Sequence, residues 1–404
     1  MRRERLGPDW LTATLLALTA AAPLAAQAPD GGERGTGVHE SARHDFRVVT
    51  FAEGLDHPWS MAWLPNGDLL ITERAGRLRI VRGGRLLPEP VAGVPAVRAR
   101  GQGGLLDVLL HPDFASNRLL YLSFAKPNRD ASLATTAVVR GRLEGDRLVD
   151  VEEIFEAKAW SRGNVHFAGR MVFDRDGYLY LSVGDRGESP NLMTRHPAQS
   201  LGQHQGKILR FHDDGRVPAD NPFVGREGAM PEIWSYGHRN PQGVVLDPET
   251  GALWENEHGP RGGDEVNRIR KGANYGWPVV SYGINYDGTV YTGEVHREGI
   301  EAPSWTWVPS IAPSGMLAYT GDRFPWWRGS VFVGGLVGEQ LARITLDGER
   351  VVSVETLLRG EIGRIRDMRQ GPDGLIYLAI DSRGPGLTPI VRLEPVDSDV
   401  APPR

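Results

Sequence analysis

One device recurs along this chain and constrains its fold more than any other feature. A turn signal introduces a short β-rich run, which then ends near glycines. Asn66-Gly67 precedes Asp68-Leu69-Leu70-Ile71, Asn117-Arg118 precedes Leu119-Leu120-Tyr121-Leu122, and Asp176-Gly177 precedes Tyr178-Leu179-Tyr180-Leu181. Thr250-Gly251 leads into Ala252-Leu253-Trp254, Arg328-Gly329 into Ser330-Val331-Phe332-Val333, and Asp373-Gly374 into Leu375-Ile376-Tyr377-Leu378. No sustained run with a 3.6-residue period separates the copies, so helices have no place in the repeat. Glycine at 51 and proline at 29 suit a chain of many turns. Six irregularly spaced turn-plus-strand units read as the blades of an all-β, six-bladed β-propeller. The spacing puts long insertions in the 186–235 and 259–310 regions, which are expected to gather at one face around the central channel. A pair of β-sandwiches is the competing architecture. It needs a linker, and the sequence shows none between residues 45 and 395.

Composition narrows the function. Hydrophobic content of 40% and charged content of 24% describe a globular chain with a full core. The net charge of −5 provides no basic field, so nucleic acid is not an expected partner. Zero cysteines exclude disulfides, thiolate catalysis and cysteine-ligated metals. At the N-terminus, basic Met1-Arg2-Arg3-Glu4-Arg5 is followed by the apolar or small stretch Trp10–Ala22 and by Ala26-Gln27-Ala28. That order reads as an export signal over residues 1–28, with cleavage at or just before Ala28, and implies a periplasmic or secreted protein. The apolar stretch is short for a membrane span, so stable membrane insertion after signal removal is not expected. Residues 29–44 read as a flexible spacer, 45–395 as the propeller domain and 396–404 as a C-terminal tail.

Several segments carry chemistry. His166 stands just before one hydrophobic run and Asp185 just after its hairpin partner, so the hairpin can bring them to one sheet edge. A carboxylate beside an imidazole fixes the tautomer and suits a general base; a strand cap and a turn aspartate are the plain alternative. Gln102 lies among glycines that admit close backbone approach to a ligand, or in a flexible loop. In Tyr236-Gly237-His238-Arg239-Asn240-Pro241-Gln242-Gly243, Arg239 could hold an oxygen ligand through its forked donors, or the segment could be a surface turn. Glu255-Asn256-Glu257-His258-Gly259-Pro260-Arg261-Gly262-Gly263-Asp264-Glu265 combines acids, glycines and carbonyls of the kind hard cations take, or simply solvated acids. Arg364 and Arg366, at i and i+2 on one strand face, suit a polyanionic ligand or nearby acids.

Taken in order, Gln102, His166, Asp185, His238–Gly243, Gly259-Pro260, Asp264-Glu265 and Arg364-x-Arg366-Asp367 resemble the soluble quinoprotein sugar dehydrogenases, six-bladed propellers that use pyrroloquinoline quinone (PQQ) and calcium. Asn274-Tyr275-Gly276-Trp277-Pro278 and Pro309–Gly315 extend the resemblance, which runs from about residue 45 to 395 and is nearer the aldose sugar dehydrogenase branch. The resemblance implies oxidation of aldoses at the anomeric carbon to lactones, with electrons passed to an external acceptor. It implies that His166 takes the hydroxyl proton, Asp185 orients it, and Arg239 meets negative charge on the quinone. Gln102, Asn240, Ser310, Arg364 and Arg366 would hold the cofactor. Gly259 and Pro260 would offer carbonyls to one calcium, and Asp264, Glu265 and Tyr275 would belong to a second, structural calcium site. One position departs from the pattern: Val337 stands where the glucose-specific members carry a cofactor-binding lysine. A calcium-dependent propeller lactonase and a non-catalytic carbohydrate-binding propeller are the other functional classes that these features admit.

Overall fold

The computed structural model describes residues 37–396. The expected export signal, residues 29–36 of the expected spacer and all but Val396 of the expected tail lie outside them. Among the described residues no helix is long and apolar enough to cross a membrane. The described part is built from six antiparallel sheets, five of four strands and one of five. Each of the six turn signals joins the innermost strand of one sheet to its second strand, so one signal marks one blade. The innermost strands are Pro58–Trp63, Leu105–Leu110, Ala168–Phe173, Pro241–Leu246, Pro313–Ala318 and Arg364–Gln370. Each packs against the next, and the last packs against the first, closing a ring around a channel.

Apolar side chains fill the spaces between blades. Leu70 and Ile80 of the first blade meet Leu120 and Leu122 of the second, and Tyr180 and Ile208 of the third meet Val244 and Leu253 of the fourth. Second strands such as Leu69–Glu73 and Leu179–Val183 are therefore buried on both faces. That is why they read as near-continuous runs instead of alternating ones.

The sixth blade closes the ring. Its strands Arg364–Gln370, Ile376–Asp381 and Thr388–Pro395 come from the end of the chain, and Phe46–Leu55 pairs antiparallel with Thr388–Pro395, from Phe46 opposite Pro395 to Leu55 opposite Thr388. Val38–His39 adds a short fifth strand against Phe46 and Arg47. The ordered fold thus begins before residue 45, inside the expected spacer. His44 also packs edge-on against Phe324 and Trp327.

All six innermost strands begin with a break in register against their partners: between Pro58 and Ser60, Leu105 and Val108, Ala168 and Met171, Pro241 and Gly243, Pro313 and Met316, and Ile365 and Asp367. Such bulges bend a strand and re-aim its side chains. Here they lie at the end of the channel where the innermost strands start, the mouth. Just inside it, Arg170 lies 3.2 Å from Asp107 and 3.1 Å from Asp367, Arg369 lies 3.0 Å from Asp367, and Asp107 and Asp367 also accept the backbone N–H groups of Met171 and Met61. Four chain segments far apart in sequence are laced together by this buried network.

The long insertions divide. Residues 212–232 connect the third strand of the third blade to its fourth, at the end opposite the mouth, so they do not join the mouth loops as expected. Residues 270–304 also leave from that far end but climb back. Gly272 donates to Trp234 O, Tyr275 to Tyr236 O and Trp277 to Gly237 O, so this segment runs up the outer edge of the third blade. It then reaches the mouth, where Arg261 and Ile284 pair.

Candidate active site

Ala168 and Val183 form the last register pair of the 168–183 hairpin, which leaves His166 and Asp185 two residues beyond it on adjacent strand ends. Gly184 lets them close: a Cβ there would stand 2.2 Å from the His166 carbonyl oxygen. His166 adopts a left-handed backbone (φ 53°), and its N–H donates to Gln102 Oε1 at 2.7 Å. Its Nδ1 lies 2.6 Å from Asp185 Oδ1. Asp185 also accepts from Trp277 Nε1 at 2.8 Å and from the Gly187 N–H at 2.8 Å. Burial lowers the His166 pKa, and Arg239 and Arg186 push the same way against Asp185. Burial would raise the Asp185 carboxyl, but His166, Arg239 and His196 outweigh it and leave it lowered. The pair therefore rests as carboxylate and neutral imidazole with Nδ1 held, the form a general base requires.

Arg239 follows on the same face. Its carbonyl accepts the Asp185 N–H at 2.8 Å. Its guanidinium donates to the carbonyls of His258 (3.1 Å) and Gly259 (2.7 Å) and lies 5.1 Å from the Trp277 ring centroid, while its buried Nε has no partner among the described residues. The carboxylate of Glu257 fixes the segment by accepting the backbone N–H groups of Arg239 and Asn240. Asn240 in turn accepts from Gln242 at 3.1 Å. Burial and Arg239 push the His258 pKa down to about 3.

Their partners Gln102, Gln242 and His258 line a cavity of about 380 Å³ that takes wall residues from all six blades: Trp59, Gln102, Phe167, Gln242, Ala312, and Arg364 with Arg366. Its size is that of a small-cofactor site, roughly 300–1,000 Å³. A second cavity of about 720 Å³ is lined by Gly259, Pro260 and Ser310, and it shares His258, Tyr286, Ala312 and Val337 with the first. Arg364 and Arg366 face the first cavity together, 3.8 and 3.3 Å from Asp381.

The expected second calcium set is divided by the structure. Asp264 and Glu265 are neighbours on the strand Asp264–Ile269, so their side chains leave opposite faces. Asp264 accepts from Gly259 N, Ser310 Oγ, Ile311 N and Ala312 N at 2.6–2.9 Å, so it organises loops and engages Ser310 as well. The Tyr275 hydroxyl is spent on Arg268 O and Arg270 N. Glu265 faces the other way and pairs across strands with Glu257, two register positions from Glu255 opposite Asn267 and so on the same face. His238, Glu255 and Glu257 bring ligand atoms within 4.8 Å of one another. Burial and Glu257 push Glu255 up to about 7, and the same two causes hold Glu265 well above its ordinary range; His238 rises to about 9 because Glu255 and Glu257 overcome its burial. The buried carboxylates of Glu255 and Glu257 and the half-buried Glu265 against one imidazolium, with Glu255 Oε2 unpartnered, suit a hard cation.

The model of the glucose/sorbosone dehydrogenase family matches residues 55–388. The chain belongs to that family. It is 45% identical over 341 residues to the aldose sugar dehydrogenase YliI of Escherichia coli, covering 83% of this chain and 90% of the relative. The crystal structure of the soluble aldose sugar dehydrogenase from Escherichia coli in the apo form superposes with a TM-score of 0.81 at 42% identity, over 87% of this chain and all of that one. The PQQ-bound aldose sugar dehydrogenase from Streptomyces coelicolor superposes at 0.72 with 31% identity, over 86% and 98%. The protein is thus an oxidoreductase of the sugar dehydrogenase type with the family's six-bladed propeller.

Of the residues named from sequence, Gln102, Arg364 and Arg366 line the first cavity, while His166, Arg239 and Asn240 are hydrogen-bonded to its lining residues Gln102, His258 and Gln242, with Asp185 on His166. Gly259, Pro260 and Ser310 border the second. Sequence reasoning missed His57, Trp59, Gln242, His258 and Asp381 as wall residues, and Trp277 as the support of Asp185. Trp277 lies inside a segment that had been matched, yet its partner is 92 positions away. His57 and Asp381 are 324 apart and meet only because the ring closes between the last blade and the first.

Proposed function

We propose that the protein oxidises aldose sugars at the anomeric carbon to the lactone, with PQQ and calcium bound at the mouth and electrons leaving to an external acceptor. The observation that carries this reading is one cavity lined by paired arginines, with the oriented imidazole of His166 next to its lining residues Gln102 and Phe167. The residues present fit the cofactor. Arg74, Arg364, Arg366 and Arg383 surround the cavity with Asp381 as the only carboxylate lining it among the described residues, so a polycarboxylate balances the charge. The unpartnered Nε atoms of Arg239 and Arg364 are further donors awaiting acceptors. When bound, the quinone supplies the two-electron acceptor and calcium a Lewis acid.

The chain's own residues do the rest. The Nε2 atom of His166 takes the proton of the anomeric hydroxyl as C1 gives up its hydride, and Asp185 keeps the other ring nitrogen protonated. Trp277 and Gly187 hold Asp185 in turn. Arg239 supplies positive charge where the acceptor gains negative charge. Gly259 and Pro260 offer the catalytic calcium backbone carbonyls. For the second calcium, the chemistry favours Glu265 with Glu255 and Glu257 over Asp264. The export signal makes the periplasm or the exterior the site of action.

Titration of the purified apoprotein with PQQ, with and without calcium, tests the reading. Dye-reducing activity on a panel of mono- and disaccharides is expected only when both are present. Absence of PQQ binding sinks it. Hydrolysis of lactones with calcium alone would favour a lactonase, for which the paired arginines have no task.

A further inference from the structure

The cavity holds a second imidazole–carboxylate pair. His57 Nδ1 lies 2.8 Å from Asp381 Oδ1. Like His166, His57 sits at the head of an innermost strand with a left-handed backbone (φ 50°), and its carbonyl accepts the Arg74 N–H at 3.1 Å. Asp381 ends the second strand of the sixth blade, which stands across the ring from the third, where His166 and Asp185 lie. The same side chain of Asp381 faces Arg366 and Arg364, so three cationic or polar donors share one buried carboxylate.

His57 is not used up by this pairing. Its Nε2 has no hydrogen-bond partner among the described residues. The nearest carboxylate oxygen, Asp56 Oδ1, is 4.0 Å away, beyond hydrogen-bond reach, and Asp56 is held by Arg77 at 2.8 Å. The imidazole lines the cavity together with Arg74, Arg364, Arg366 and Val337. Val337 contributes no charge to the cavity lining, whereas His57 brings to it a ring nitrogen without a partner among the described residues.

We propose that His57 is a ligand-binding residue: anchored by Asp381 through Nδ1, it donates from Nε2 to a carboxylate of the cavity's anionic ligand. This rests on the reading of the cavity as a PQQ site. A hydrogen bond to a charged group contributes about 1.5–3 kcal/mol, which corresponds to roughly 10- to 100-fold in affinity.

The test measures dissociation constants of the calcium-loaded protein for PQQ and for its trimethyl ester by quenching of tryptophan fluorescence. Wild type, His57→Gln, Asp381→Asn and the double variant His57→Gln/Val337→Lys are compared, with near-UV circular dichroism confirming the fold. The expected result is ~10- to 100-fold weaker PQQ binding by His57→Gln, a much smaller change for the ester, and recovery of PQQ affinity when Val337→Lys supplies a cation. Equal losses for acid and ester, or no loss for the acid, overturn the inference, because a packing role does not distinguish the two ligands. If a correctly folded wild type binds neither, the PQQ reading itself fails and this inference with it. If wild type binds PQQ and His57→Gln matches it, only the role of His57 fails.

Discussion

Replacing Asp185 by asparagine exchanges one oxygen for an amide nitrogen in a fully buried side chain with three donors aimed at it: the His166 ring at 2.6 Å, the Gly187 N–H at 2.8 Å and the Trp277 indole at 2.8 Å. Two oxygens accept all three. One amide oxygen cannot. If the amide nitrogen faces Trp277, two donors collide and one stays unsatisfied in the interior, at a cost of about 1–3 kcal/mol. If it faces His166, the imidazole must accept at Nδ1 and carry its proton on Nε2, where a base needs a lone pair. The second geometry takes away the base's lone pair, and the first takes away the negative charge that stabilises the imidazolium as it forms; a prepared base elsewhere contributes typically 10²–10⁴-fold. The barrier is therefore expected to rise by about 2.7–5.4 kcal/mol. The assay is single-turnover reduction of the cofactor by sugar in the PQQ- and calcium-loaded enzyme, together with PQQ affinity of the apoprotein. The turnover rate should fall by at least 10²-fold while PQQ affinity changes little, because Asp185 lies behind His166 and not in the cavity wall. A loss under tenfold, or an equal loss in cofactor affinity, refutes the assignment of Asp185 to the base.

Three further outcomes are expected. Because burial, Arg239 and Arg186 lower the His166 pKa below its usual 6.5, the base stays unprotonated into mild acid, and the acid limb of kcat/KM should fall below pH 6.5; Arg186→Met should move that limb upward, and an unmoved limb counts against His166 as the titrating group. Arg170→Met leaves Asp107 and Asp367 buried with Arg369 alone and should cost about 3–5 kcal/mol in denaturant unfolding, a loss below 1 kcal/mol showing that the network is not structural. Removing calcium with a chelator should lower the melting temperature and added calcium restore it, whereas Glu265→Gln should lose the response; an intact response in that variant would place the ion elsewhere.

The blade count was legible because each signal of the Asp176-Gly177 kind marks a local event, the turn between two neighbouring strands, and neighbours in sequence determine it. The His166–Asp185 pair was legible for the same reason, since one hairpin joins them. What local pattern does not contain is partnership across the ring. Asp381 belongs to the last blade and His57 to the first, and Trp277 arrives at Asp185 only after its segment has climbed the outside of the third blade. The grouping of Asp264 with Glu265 went astray for a simpler reason. Adjacent residues on a strand face opposite ways, and spacing in a list of acids does not reveal where the strand begins. The bulges at the heads of all six innermost strands were likewise invisible, although they aim Arg366 and Gln242 into the cavity.

The pairing of Phe46–Leu55 with Thr388–Pro395 also sets the order of events during synthesis. An early strand waits for the last one to be made, so a growing chain can stack five blades and still have no closed channel. Closing so long a loop costs conformational entropy that grows only with the logarithm of its length, and the interblade surface buried on closure repays it at once. Because Arg364, Arg366, Asp381 and His57 meet at that seam, the cofactor wall is completed in the same step. The binding site and the finished ring are a single event, and a truncated chain has neither.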